Sequence, residues 1–180
     1  MVQEVKTPAI NKLKDVWLIS DTHFFHDNII KYCGRPFYSS DEMNEHMIDR
    51  WNSVVKPGDK VYHLGDVWMG PSDHDKRAWL WSRLRGKKRL IVGNHDDIKD
   101  LSAGAFFEKI YMWRVFTEHN LILTHVPIHQ DSIHERIIMN GGVNVHGHTH
   151  EKGSPKGPYK SVCVELINYT PVNIEEILKQ

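Results

Sequence analysis

The feature that most constrains this chain is a repeated ending. Five short apolar runs each stop on Asp, His or Asn. VWLIS (16–20) runs into DTHFFH, VYHLG (61–65) into Asp66, RLIVG (89–93) into NHDD, LILT (121–124) into His125, and VNVHG (143–147) into HTH. Runs of four to six apolar or β-branched residues bounded by Gly, Asp or Asn read as buried strands. In open α/β sheets, ligands bind beyond the carboxyl ends of such strands. Fold and site are thus tied to the same five positions.

Helical patterns fill the gaps. In SSDEMNEHMIDRWNSVV, Ser39 precedes Glu42 by three residues, which predicts a capping box. Met43, Met47, Trp51 and Val54 then share one helical face, and KPGD ends the helix. SDHDKRAWLWSRLRG predicts a helix that starts at Ser72, buries Ala78, Trp81 and Leu84, and stops at Gly86. DDIKDLSA predicts a further helical turn. In the second half, FEKIYMWRVFTEHNLILTH predicts two strands joined by a hairpin at Glu118–Asn120. KSVCVELI (160–167) predicts another strand, and Asn173 with Glu176 caps a short final helix. The expectation is an α/β protein: helices alternate with strands first, and more antiparallel strands follow. Two packed mixed β-sheets flanked by helices, in a single domain over residues 1–180, satisfy both halves.

Lys+Arg and Asp+Glu are both 23, so long-range capture of long nucleic acid is not indicated. The two cysteines, Cys33 and Cys163, form no Cys-x-x-Cys pattern and read as reduced and structural. MVQEVKTPAI has no apolar core of a signal peptide, and no apolar stretch is long enough to span a bilayer. A cytoplasmic protein with no membrane partner is therefore expected.

The 13 histidines are the anomaly in the composition. Asp21, His23, Asp66, Asn94, His125, His148 and His150 fall at the strand ends and offer two carboxylates, one amide oxygen and four imidazoles. Mixed imidazole and oxygen donors without cysteine suit Mn2+ first, with Fe, Zn, Ni or Co as alternatives. Seven ligands exceed one tetrahedral ion and fit two divalent ions about 3.5–4 Å apart, with one carboxylate bridging. Two such ions carry more positive charge than Asp21, Asp66 and one hydroxide return, so the site should attract an anion such as a phosphoester.

DTH at 21–23, GD at 65–66, GNHD at 93–96, His125 and GHTH at 147–150 match, in order, the signature of the calcineurin-like metallophosphoesterases. The motifs span residues 21–150, and the chain resembles the small bacterial and phage branch of that superfamily. By position, the resemblance implies that Asp21, His23 and His150 bind one ion and that Asn94, His125 and His148 bind the other, with Asp66 bridging. It implies the family's αββα sandwich of two sheets flanked by helices. It also implies that His95 contacts a phosphate oxygen and protonates the leaving group, with Asp96 orienting its imidazole. The expected activity is hydrolysis of a phosphodiester, in preference to a phosphomonoester, by metal-bound hydroxide. A nucleotide is among the candidate substrates. The alternatives are a nuclease of the same family and a non-catalytic metal-binding or scaffold module.

Further residues carry weaker expectations. His26, Asn28 and Arg35 are candidate substrate contacts; loop hydrogen bonding competes for the first two, and solvated surface for Arg35 and Lys31. Phe24 and Phe25 could stack on a base or aryl group, but an adjacent pair reads as half core. His146 fits no ligand role and reads as a packed strand residue, as does His63. Gly147 is expected to let the backbone turn sharply. His46, His74, His119 and His134 read as surface, and the tryptophans as core. Only 22 residues separate His125 from His148. That is too few for a large cap domain, so a shallow site is expected, or one covered by a partner subunit in a homo-oligomer.

Overall fold

The computed structural model describes residues 15–70, 73–103, 105–133 and 141–179, with the side chains of 102 and 103 left aside. The N-terminal decapeptide, Ser72 and His134 lie outside the described residues.

Five strands form the first sheet: β1 (Val16–Ile19), β2 (Lys60–His63), β3 (Lys87–Ile91), β4 (Lys109–Tyr111) and β9 (Val172–Asn173), in the order β4-β3-β2-β1-β9. β1 to β4 run parallel and β9 is antiparallel at the edge. The second sheet has the order β5-β6-β7-β8, from β5 (Arg114–Phe116), β6 (Leu121–Leu123), β7 (Val143–His146) and β8 (Tyr159–Ser161). The hairpin β5–β6 is antiparallel, but β6–β7 and β7–β8 are parallel. The later strands are therefore less antiparallel than the sequence suggests.

The helices are α1 (Asp27–Tyr32), α2 (Ser40–Val54), α3 (His74–Arg83), α4 (Ile98–Ala103) and α5 (Ile174–Leu178). No helix among the described residues is long and apolar enough to cross a membrane.

Strand alternation sorts the core. Ile19, Val61 and Leu90 face a cluster containing Met43, Met47 and Trp51 of α2 and Leu80 and Trp81 of α3. Val16, Leu18, Tyr62 and Ile91 point the other way, against Leu121, Leu123 and Val145 of the second sheet, with Ile174 and Ile177 of α5 closing that layer. The parallel strands are thus covered on both faces, which is why they read as continuous apolar runs. The result is two mixed sheets packed together and flanked by helices.

Local signals explain most boundaries. The Ser39 hydroxyl accepts the Glu42 N–H, but the Glu42 carboxylate takes the N–H of Tyr38 rather than that of Ser39. Asp73 caps α3 by accepting the Lys76 N–H. Asn173 caps α5 through the Glu175 N–H. Two expectations need correction. The first strand of the FEKIYMWRVF stretch is divided at Met112–Trp113, so that β4 joins the first sheet and β5 the second. The run 160–167 is a strand only at its start, because the chain turns from residue 164 to 169. That turn buries Val164 and directs Glu165 inward. Trp51, Trp68 and Trp81 are core, whereas Trp79 and Trp113 are exposed.

Candidate metal centre

The carboxyl ends of β1, β2, β3, β6 and β7 meet at the seam between the sheets. Ser20 ties the seam: its N–H donates to the Val162 carbonyl, and the Val162 N–H donates to His146. All seven candidate ligands follow these strand ends.

They form two sets. Asp21, His23 and His150 bring one donor atom each to within 4.8 Å of one another, and Asp66, His125 and His148 do the same. Asn94 joins the second set, its Oδ1 lying 2.8 Å from His125 Nε2 and 2.9 Å from His148 Nδ1. Asp66 lies between the sets, with Oδ2 3.6 Å from His23 Nε2 and 3.5 Å from His125 Nε2.

Each carboxylate is divided between structure and site. Asp66 Oδ1 accepts the His95 N–H at 2.9 Å, leaving Oδ2 for the two sets. Asp21 Oδ2 accepts the His148 N–H and the Cys163 thiol. Asp21 Oδ1 is buried without a hydrogen-bond partner, as are both ring nitrogens of His23. Orphaned buried polar atoms are costly, by about 1–3 kcal/mol each.

The histidines are held as acceptors. His125 Nδ1 lies 2.7 Å from the Leu64 carbonyl and must donate to it, so a ring carrying one proton turns a bare Nε2 toward Asn94 Oδ1 and Asp66 Oδ2. Lone pairs converging on one point call for a cation. His150 Nδ1 donates to Glu165 Oε1 at 3.0 Å, leaving Nε2 3.8 Å from Asp21 Oδ1. Burial, with the Arg35 charge second, pushes the His23 pKa down to about 2 and keeps the ring neutral. Burial also lowers His148, helped by His125. For His150, burial opposes protonation, but the Glu165 hydrogen bond and the Asp21 and Glu165 charges outweigh it and raise the pKa. Burial raises Asp21. The donor set and its orphaned atoms fit divalent ions.

The backbone is strained at the same place. Asp21, His23, Asp66, His148 and His150 have φ between 47° and 69°. They make up half of the ten non-glycine residues with positive φ among the described residues. Such conformations persist where surrounding contacts fix them, and they cluster at functional sites. The sharp turn in GHTH is therefore made by His148 and His150. Gly147 is needed for space instead: a Cβ there would collide with Ser20 Oγ and Asp21 Oδ2.

The remaining candidates are distributed as follows. The His95 ring is exposed, 5.7 Å from that of His23, and the half-buried His26 ring lies 5.9 Å from His23. Asn28 is exposed in the first turn of α1. The described hydrogen bonds of Asp96 do not run to the His95 ring. The Asp96 carboxylate accepts the backbone N–H groups of Asp66, Val67 and Gly93 at 2.8–3.0 Å, pinning together the loops after β2 and β3, and burial raises its pKa. Arg35 is not surface. It is buried, donates to Glu165 and to the carbonyls of Asp21 and Thr22, and so holds the first ligand loop from behind. Lys31 is exposed, Phe24 is core and Phe25 packs against it. His146 is buried between Gly147 O and Ser154 Oγ, and His63 is buried against Thr22. His46 and His74 are exposed, while His119 is half-buried. Cys33 and Cys163 are free thiols, and burial pushes the Cys33 pKa up to about 12. A cleft of about 880 Å³ adjoins the second set at Asn94 and His125.

Glu165 was not visible from sequence motifs. The available signal was a lone carboxylate in the apolar run SVCVELI, which must find a partner once buried.

No protein-family model matches the chain. The crystal structure of a protein of unknown function from Aquifex aeolicus, AQ665, is similar at a TM-score of 0.70 and 27% identity, covering 91% of this chain and 97% of that one. A conserved uncharacterized protein of Streptococcus pneumoniae TIGR4, described as a predicted phosphoesterase, is similar at a TM-score of 0.34 and 17% identity over 82% of this chain and 70% of that one, too little to carry an argument. Among curated sequences, the Gene 66 protein of Mycobacterium phage L5 is 29% identical over 77% of this chain and 78% of its own length. Uncharacterized protein MJ1445 of Methanocaldococcus jannaschii is 37% identical over 93% of this chain and 91% of its own. At that identity and coverage, the chain belongs to the family of MJ1445.

Proposed function

We propose that the protein is a metal-dependent phosphoric ester hydrolase acting on a phosphodiester in preference to a monoester. The observation that carries this reading is Asp66 Oδ2, set 3.6 Å and 3.5 Å from the facing nitrogens of two separate ligand sets. Asp21, His23 and His150 would hold one divalent ion and Asn94, His125 and His148 the other, with Asp66 shared. When bound, Mn2+, or Fe, Zn, Ni or Co in its place, would supply Lewis acidity and lower the pKa of water enough to give a nucleophile near neutral pH. The ordered motifs that resemble the calcineurin-like metallophosphoesterases support the same chemistry.

The chain's own groups supply the rest. The two site carboxylates leave a net positive charge beside two divalent ions, which favours an anionic phosphoester. Hydrolysis consumes one water: its oxygen bonds to phosphorus, the ester P–O bond breaks, and the departing oxygen takes a proton. His95 is the candidate proton donor. It follows Asn94, its N–H is fixed on Asp66, and its exposed ring stands beside His23.

The test is elemental analysis paired with turnover of bis(4-nitrophenyl) phosphate. Metal-reconstituted protein should hold two ions per chain and hydrolyse the diester. Asp66→Ala should hold fewer ions and lose nearly all turnover. Two ions retained in Asp66→Ala would remove Asp66 as the bridge, and no divalent ion bound by wild type would overturn the reading.

A further inference from the structure

The metal centre does not explain a cleft of about 880 Å³ beside it. It starts at Asn94 and His125 of the second ligand set and runs outward between Met112, Trp113, Val126 and Ile128. Its volume lies in the range of small-molecule sites. Among the described residues, no Lys, Arg, Asp or Glu lines it. The described lining therefore offers no cation to a second phosphate, and a polynucleotide running along it would find its backbone charges unpaired there.

Its walls suit an apolar body. Met112 is 63% exposed, Trp113 61% and Val126 42%, so three of the ten large hydrophobic residues exposed among those described converge on this one cleft. Scattered apolar residues on a surface need no explanation, but a contiguous group at a site does. The hydroxyl of Thr124, also in the lining, is already committed, donating to the Val126 carbonyl and accepting from Asn144. With Thr117 and Ser132 as the other hydroxyl residues of the lining, recognition in the cleft comes mainly from apolar contact, Trp113 included. The cleft adjoins Asn94 and His125, so a group joined to an anion held at the ligand sets would reach it.

Resting on the hydrolase reading above, we infer that this cleft is the substrate's organic subsite, and that the physiological phosphoester carries a bulky apolar or aromatic group rather than a nucleic-acid chain.

Non-hydrolysable probes test the subsite apart from turnover. Calorimetry on metal-loaded protein would compare methylphosphonate with 2-naphthylmethylphosphonate. The naphthyl compound should bind roughly ten- to a hundredfold more tightly, the gain for burying one aryl group. Trp113→Ala should reduce that ratio by about tenfold, and Met112→Asp should reduce it similarly by placing a charge in the cleft. Both side chains are exposed, so neither change removes core packing. Equal affinities for the two phosphonates, or a ratio unmoved in both variants, would overturn the subsite. A wild-type dimer that sedimentation shows to dissociate in both variants, with the ratio unmoved, would assign the cleft to a second copy and also overturn it. Naphthyl selectivity that depends on Trp113, in protein that hydrolyses no phosphoester, would uphold the subsite and reject the hydrolase reading.

Discussion

Glu165 illustrates how a side chain far from the motifs can set the chemistry of one within them. Its Oε1 accepts from His150 Nδ1 at 3.0 Å and from Arg35 at 2.6 Å, so the imidazole is oriented with Nε2 toward Asp21. Carboxylate–histidine pairs of this kind raise the basicity of a metal-binding nitrogen and fix its tautomer. Arg35 keeps the carboxylate ionised, and despite burial the Glu165 pKa is lowered by His150 and Arg35. The seven candidate ligands were legible in the sequence because each strand end carries its own donor. Glu165 and Arg35 were not, because their meaning lies in a contact between residues 130 positions apart. Glu165→Gln keeps the shape and removes the charge. If the two sets hold ions as proposed, affinity for one of them should fall about 10–100-fold, measured by competition with a fluorescent chelator. Unchanged affinity in folded protein would reduce Glu165 to a packing role.

Among the elements, the parallel strands were legible because burial on both faces leaves an uninterrupted apolar run. The helices were legible because Ser39 and Asn173 announce their starts. What the pattern could not resolve was which sheet a run joins. EKIYMWRVF is one apolar stretch in sequence, yet β4 pairs with β3 and β5 with β6. Similarly, the apolar character of 160–167 comes from burial of a turn around Glu165 rather than from a ladder. Loop-to-loop ties were also hidden, and Asp96 is the chief of them: one carboxylate accepts three backbone N–H groups and joins the ends of β2 and β3. Asp96→Ala leaves those donors partly buried and unpaired. It should lower stability by about 3 kcal/mol, read by urea unfolding of chelated protein so that metal loss does not contribute. Stability equal to wild type would show that these three bonds hold nothing and would return Asp96 to the His95 ring.

For the molecule as a whole, the centre lies on the seam between two sheets, so folding and the protonation of its surroundings are linked. His63 shows the link most simply. It is fully buried on β2; Thr22 Oγ1 donates to the Val67 carbonyl and can only accept from His63 Nε2, 3.0 Å away. The imidazole thus supports the residue between Asp21 and His23. Burial, with the His125 charge second, lowers the His63 pKa from 6.5 to about 3. Between those two values the unfolded chain takes up a proton at His63 and the native chain does not. Stability therefore rises with pH across that window, is fully present above pH 6.5, and is lost as pH falls toward 3. Each such proton contributes a slope of about 1.4 kcal/mol per pH unit. His23, lowered to about 2, acts in the same direction, so these two rings together contribute a slope approaching two protons. His63→Gln retains an N–H for Thr22 but cannot titrate. Urea unfolding with chelator at pH 7.5, 6.5, 5.5 and 4.5 should give this variant a slope shallower by about one proton. Identical slopes for the two proteins would mean that His63 is protonated in the native state and that the loop between Asp21 and His23 rests on a charge rather than on a neutral ring.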